Sequence, residues 1–198
     1  VYESVFFLNG LSSELKEKIA EKAQQKAVML KPRPSAASTN KTLFLDLDET
    51  LIHCVISQSD GFSHQVRVQE YDVTHFVMQV FFNLRPYAID FLITMSQLYE
   101  LVLFTAADKH YAEAFFEFLN LQSNGAISQF LCRDHCIHLY KKVFVKDLRV
   151  VSNRQLKNMV LLDNSAHSFG GLMNNGVPIK SFISDQRDLE LMHIEPYL

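Results

Sequence analysis

Thr42-Leu43-Phe44-Leu45-Asp46-Leu47-Asp48-Glu49-Thr50-Leu51 is the stretch on which the reading of this chain turns. Its apolar run, residues 42–47, fits a short strand covered on both faces, the habit of a parallel sheet. Residues 101–105 and 159–162 have the same character. Between these strands lie helical patterns over 86–99, with Pro86 at a tolerated first-turn position, and over 109–119. Strands that alternate with helices imply an α/β fold: a Rossmann-like parallel sheet flanked by helices, joined by right-handed crossovers. Residues 65–82 break that alternation. Val66, Val68, Phe76, Met78, Val80 and Phe82 follow a two-residue period, which predicts an antiparallel β-hairpin. Residues 126–148 mix short apolar runs with basic residues and read as a small insertion of strands and loops.

Upstream, Leu11, Leu15, Ile19 and Ala23 recur at four-residue spacing among Lys and Glu, with Ser12 or Ser13 as a cap, and predict an amphipathic helix. Two prolines, Pro32 and Pro34, and the small residues after them forbid helix and favour an extended linker. The expected organisation is an N-terminal helix and linker over 1–40 and a catalytic domain over 41–198. With 198 residues, 48% of them hydrophobic and 21% charged, the chain can build one core without disulfides or a structural metal. Its three cysteines are an odd count, and they read as free thiols. A net charge of −3 argues against binding bare nucleic acid. The longest apolar runs fall well short of the roughly 20 residues that span a bilayer, so no transmembrane helix or secretory signal is expected.

The chemistry is expected where strands end. Leu45 leads into Asp46, Phe104 into Thr105, and Leu162 into Asp163 and Asn164. In open α/β sheets ligands bind beyond the carboxyl ends of the strands, where these groups would converge. Any one of them alone reads as a turn or cap residue; their coincidence reads as a site. Asp46 and Asp48 are two apart and share a side of an extended backbone, and two carboxylates there are costly unless a cation relieves them. Mg²⁺ suits oxygen ligands of this kind, and Asp163 and Asn164 can complete its shell. A carboxylate nucleophile splits phosphoryl transfer into two displacements, with the second carboxylate as general acid and base. Thr105 and Lys146 supply a hydroxyl donor and a positive charge for the phosphoryl oxygens.

Other signals weigh less. Cys132, His135, Cys136 and His138 lie close together, but structural zinc sites pair ligand sets across a longer loop, and buried cysteines are the preferred reading. Cys54 and Cys136 lack the Gly and Arg flanks that cradle phosphate in cysteine phosphatases. His53 reads as structural or as lining the cleft.

DLDETL at 46–51, LFTAADKHYAE at 103–113, FVKDL at 144–148 and LLDNS at 161–165, in that order, resemble the haloacid dehalogenase superfamily. The closer likeness is to its small C-terminal-domain phosphatases, the NLI-interacting-factor-like group. The likeness runs from about residue 41 onward and includes Leu84-Arg85-Pro86 and residues 131–136. It implies Asp46 as nucleophile, Asp48 as acid and base, and Thr105 and Lys146 as phosphate ligands. It also implies Mg²⁺ held by Asp46, the backbone of Asp48 and Asn164, with Asp163 reaching it directly or through Lys146 or water. The implied substrate is phosphoserine or phosphothreonine in a nuclear or cytoplasmic protein, the RNA polymerase II tail being the best-known case, for a monomeric enzyme. Residues 138–144 run one residue longer than in many relatives, Ala166 replaces a proline, and Phe182 replaces a tryptophan. These departures are expected in loops that recognise peptide. Two alternatives follow from the same resemblance: a non-catalytic binding module like the mitochondrial import receptor of this fold, and a membrane-associated enzyme acting on a lipid-metabolic phosphatase.

Overall fold

The structure, a computed structural model, describes residues 12–33, 40–55, 61–69, 77–139 and 143–198. Leu11, Phe76, Lys141, Lys142 and most of the expected linker lie outside the described residues. In chain order the elements begin with Ser13–Gln25 (α1), Thr42–Leu45 (β1), Ile52–Val55 (β2), His64–Gln69 (β3), Val77–Leu84 (β4), Ala88–Leu98 (α2) and Glu100–Phe104 (β5). Lys109–Gln122 (α3), Ile127–Leu131 (β6), Ile137–His138 (β7), Phe144–Val145 (β8), Met159–Asp163 (β9), Gly176–Pro178 (β10) and Glu190–Ile194 (α4) follow.

The centre is a parallel five-stranded sheet in the order β10-β9-β1-β5-β6. Alternation along its strands feeds two cores. Leu43, Leu45, Leu101, Leu103 and Leu162 face Phe91, Leu92 and Met95 of α2 and Phe115 and Leu119 of α3. Phe44, Val102, Phe104, Met159 and Leu161 face the other way, onto Ile19 and Ala23 of α1 and onto Val150 and Phe169. Residues such as Phe44 and Leu43 are fully buried, each worth about 1.5–3 kcal/mol relative to exposure, so a change to a polar residue in either layer would break the sheet's cover. The chain runs outward from β1 through β5 to β6, then returns to β9 and β10 on the opposite side. The reversal leaves a crevice between the carboxyl ends of β1 and β9, the place where such sheets bind ligands.

Helix starts follow local chemistry. Ser12 caps α1 by accepting from the Leu15 amide at 3.2 Å, and Asp108 caps α3 by accepting from the Tyr111 amide at 3.0 Å. The helix expected from Pro86 begins at Ala88, because Tyr87 adopts a left-handed φ of 64° in the turn ahead of it. The expected hairpin is present as β3 and β4, and β2 adds a third antiparallel strand. Residues 126–148 form the expected small insertion only in part. Ile127–Leu131 joins the parallel sheet as its edge, where Ser128 and Gln129 meet a half-covered surface, and only β7 and β8 form a separate antiparallel pair. The first strand also ends early: β1 stops at Leu45, two residues short of the apolar run.

At the amino ends of the strands one acid is buried. Glu100 opens β5 and accepts from Arg154 Nε and Nη2 at 2.8 and 2.7 Å and from Thr42 Oγ1 at 2.9 Å, with Arg33 Nη1 3.1 Å away. Burial works against its charge, but these donors outweigh it and hold the carboxyl below the usual glutamate range.

Candidate active site

At the opposite, carboxyl ends of the strands the balance of charge reverses. Asp46 follows β1 directly, and its amide donates to the Leu162 carbonyl at 3.0 Å, extending the ladder by one residue. Asp163 ends β9 beside it. Lys146, which follows β8, is 3% exposed and donates to both carboxylates: to Asp46 Oδ1, and to Asp163 Oδ2 at 2.7 Å. Thr50 Oγ1 donates to Asp46 Oδ2 at 2.8 Å, and the Ser165 amide donates to Asp163 Oδ1 at 2.7 Å. Asn164 closes the group, its Oδ1 lying 3.3 Å from Thr50 Oγ1 and its amide nitrogen 3.0 Å from Ser181 Oγ.

Asp48 enters by a turn rather than by strand pleating. Its neighbour Glu49 has a left-handed φ of 56°, a conformation that costs a side-chain-bearing residue about 1–2 kcal/mol. The surroundings enforce it. The Glu49 amide donates to the Ile52 carbonyl at 2.7 Å, its carbonyl accepts from the Phe182 amide at 2.7 Å, and its carboxylate meets His53 Nδ1 at 3.3 Å. Beneath the turn, the buried Arg85 donates to the Thr50 carbonyl at 3.0 Å, to the Lys180 carbonyl at 2.8 Å, and through two nitrogens to Asp188 at 2.8 and 2.9 Å. Asp48 then receives Tyr111 Oη at Oδ1, 2.6 Å away, and Thr105 Oγ1 near Oδ2, 3.3 Å away. Thr105 itself accepts from the Ala107 amide at 3.0 Å.

One ammonium thus serves a crevice that holds Asp46, Asp48 and Asp163. Burial, then the charges of Asp46 and Glu49, push the Asp48 carboxyl up to about 6 against the pull of the Tyr111 hydrogen bond. Burial and the Asp46 charge also raise Asp163, because Lys146 is shared. Lys146 is raised in turn: burial alone would lower it, and the two carboxylates more than reverse that. These side chains open into a cleft of about 380 Å³, walled also by Phe144 and His167. A larger cleft of about 650 Å³ runs along α1 past Leu15, Lys18, Lys22 and His138, away from the strand ends and from every one of these acids.

The six residues singled out in the sequence, Asp46, Asp48, Thr105, Lys146, Asp163 and Asn164, therefore meet at one crevice. Thr50, Tyr111, Arg85 and Ser165 lie inside the quoted motifs, but sequence reasoning gave them no role; they hold the reacting residues in place. Tyr111 had a legible signal, the first turn of the helix that follows Thr105. One expectation needs correction, and the reading of buried cysteines holds. Ala166 and Phe182 are 1% exposed, packed in the core and over Arg85, and so are not peptide-recognising loop residues. Cys132 and Cys136 are buried, with the Cys136 thiol facing the Thr105 carbonyl.

For a metal ion, the donors here are oxygens. Among the described residues no three His, Cys, Asp or Glu side chains form a cage by themselves. Asp46, the Asp48 backbone and Asn164, beside uncompensated negative charge, suit a hard cation that keeps positions for water and phosphate.

The sequence family described as NLI interacting factor-like phosphatase matches residues 41–198. A CTD small phosphatase-like protein 3 of Caenorhabditis elegans is 35% identical over 84% of this chain and 56% of its own length. The CTD nuclear envelope phosphatase 1 of Xenopus tropicalis is 36% identical over 80% of this chain and 66% of its own. The solved structure of a fission yeast RNA polymerase II CTD phosphatase, Fcp1, bound to beryllium fluoride superposes with a TM-score of 0.59 at 18% identity. That superposition covers 92% of this chain and 53% of the other, and shows the shared fold. The chain spans between about half and two thirds of the length of these relatives.

Proposed function

Since the chain belongs to the family of NLI interacting factor-like phosphatases, we propose that it is a Mg²⁺-dependent phosphatase of phosphoserine or phosphothreonine in proteins, working through an aspartyl-phosphate on Asp46. The observation that carries this reading is the surplus of carboxylate at the crevice: buried Asp46 and Asp163 share the ammonium of Lys146, half-buried Asp48 stands beside them, and among the described residues no other Lys or Arg lines the cleft. A structural cluster would be neutralised, as Glu100 is; one that awaits a cation and a phosphate has reason not to be.

In this reading Asp46 attacks phosphorus as a carboxylate, needing no base, while Thr50 and Lys146 fix its direction. Asp48, whose carboxyl titrates at about 6, carries the proton that the departing serine or threonine oxygen requires. It then takes a proton from the water that cleaves the aspartyl-phosphate. Thr105 and Lys146 donate to the phosphoryl oxygens as charge spreads over them. Mg²⁺, held by Asp46, the Asp48 backbone and Asn164 with Asp163 behind, would supply positive charge to bring the dianionic phosphate against carboxylates. We take residues 41–198 as the phosphatase domain and 1–40 as an appended helix and linker, with α1 bracing the sheet through Ile19 and Ala23.

Relatives named as CTD phosphatases and as nuclear envelope phosphatases support a nuclear phosphoprotein as substrate, with the polymerase tail the first to try. The test is hydrolysis of p-nitrophenyl phosphate with Mg²⁺, then a phosphopeptide panel ranked by kcat/KM. Wild-type turnover that Asp46→Asn removes supports the mechanism. Turnover that survives Asp46→Asn would sink it, and absence of any turnover or of a beryllium fluoride adduct would favour a non-catalytic binding module.

A further inference from the structure

The acid of the proposed reaction is held by a side chain that takes no part in phosphate or metal binding. Tyr111 Oη donates to Asp48 Oδ1 at 2.6 Å, and Cys54 Sγ lies 2.8 Å from the same Oη. The tyrosine ring cannot swing freely, because it packs 4.6 Å from the fully buried Phe115 on the next turn of α3. Cys54 is fixed in β2, paired in register with Phe82. A phenol has one proton to give. With that proton on Asp48, Oη can only accept from Cys54, so the thiol is the donor in the second contact. The hydrogen bonds run in one direction, from Cys54 to Tyr111 to Asp48.

We propose that Tyr111, set by Cys54, is the positioning residue of the general acid: it occupies Asp48 Oδ1, so that the proton Asp48 transfers sits on Oδ2, on the side of Thr105. A protonated Oδ1 would confront the phenol hydrogen, whereas Oδ2 meets only the 3.3 Å contact with Thr105. In the first step the bond from Asp46 to phosphorus forms and the bond from phosphorus to serine oxygen breaks, while the Oδ2 proton passes to that oxygen. In the second step water bonds to phosphorus, its proton returns to Oδ2, and the bond from phosphorus to the Asp46 oxygen breaks, which releases the carboxylate. Both steps need the same oxygen aimed at the same place, which an unanchored carboxyl would supply only part of the time.

The proposal rests on the phosphatase reading, and its test separates the two. Serine leaves as an alkoxide and needs the proton; p-nitrophenolate leaves without it. The ratio of kcat/KM on O-phosphoserine, which brings no peptide contacts, to that on p-nitrophenyl phosphate therefore reports on the acid. Tyr111→Phe should lower this ratio about tenfold, a fraction of the full general-acid effect. Cys54→Ala should lower it by a smaller factor, about threefold, and Cys54→Ser, which keeps a donor, should restore it. Equal losses on both substrates, or an unchanged ratio, would overturn the assignment and leave the phosphatase standing. If Tyr111→Phe does not fold, the Cys54 pair decides alone: Cys54→Ala and Cys54→Ser with the same ratio overturn it. A wild type inert on both substrates would remove the phosphatase reading and the relay with it.

Discussion

The central strands bury acid at both ends, and the two ends treat it oppositely. At the amino ends Glu100 is surrounded by Arg154, Arg33 and Thr42, and its carboxyl is held low. At the carboxyl ends Asp46 and Asp163 share Lys146, Asp48 receives the hydroxyls of Tyr111 and Thr105, and Asp48 and Asp163 are pushed up. Both arrangements sit on the same register of backbone, with Thr42 opposite Glu100 and Leu45 opposite Leu103 and Leu162. Burial alone therefore does not mark function. What differs is whether the protein supplies the counter-charge itself or leaves it to something that binds.

The contrast breaks if the two ends respond alike to losing a charge. Asp46→Asn should reduce kcat by about 10³-fold or more, as loss of a nucleophile does, while leaving the melting temperature unchanged or higher. Glu100→Gln should do the reverse, costing about 3 kcal/mol in chemical denaturation because the arginines lose their partner, with kcat on p-nitrophenyl phosphate retained. Lys146→Met should lower kcat by about 10²-fold through loss of charge at the phosphoryl group, read in steady-state assays at saturating Mg²⁺.

Acidity sharpens the contrast further. Without a cation, burial pushes the Asp48 carboxyl up to about 6 and raises Asp163 with it, against about 3.9 for an aspartate in the unfolded chain, so below pH 7 the folded chain holds more protons. Stability should therefore rise as pH falls from 7 to about 5, by on the order of 1–2 kcal/mol. Glu100 has the opposite sign. Its depressed value makes its contribution full above the unfolded value near 4.3 and lost as pH falls through the folded one, so stability should turn down again below about pH 4. Asp48→Asn should flatten the first limb and Glu100→Gln the second, in denaturation curves measured at each pH. The smallest effect is that of the cation. Mg²⁺ at about ten times its Kd should raise the wild-type melting temperature by about 3–5 °C, and should not do so in Asn164→Ala.

Much of this was legible in the residues. Apolar runs ending in Asp46, Thr105 and Asp163 announce a parallel sheet and its binding edge, because burial on both faces and polarity at one end are written in residue types. The edge strand Ile127–Leu131 was not legible, since Ser128 and Gln129 interrupt its apolar character where only one neighbour covers it. Nor were the supports of the site. Thr50 lies four residues from Asp46, but its residue type alone also fits a turn; Arg85 and Tyr111 act across elements far apart in the chain, Arg85 on Asp188 and Tyr111 on Asp48. No local spacing encodes such pairings. Phe182 shows the same blindness from the other side, a change that looks like surface variation and proves to be packed over Arg85.

Arg85 also sets an order of events. The turn that presents Asp46 and Asp48 is made before residue 180, yet of the groups that satisfy the guanidinium beneath it only the Thr50 carbonyl is then present; the Lys180 carbonyl and the Asp188 carboxylate come later, as does the Phe182 amide that holds Glu49. Domains fold as units while the chain emerges from its amino end. A nascent chain that has reached Asn164 thus contains every residue of the proposed chemistry and lacks the clamp that shapes it. Competence would arrive with residue 188, late and all at once, so partial translation products would carry the phosphatase motifs without acting on anything.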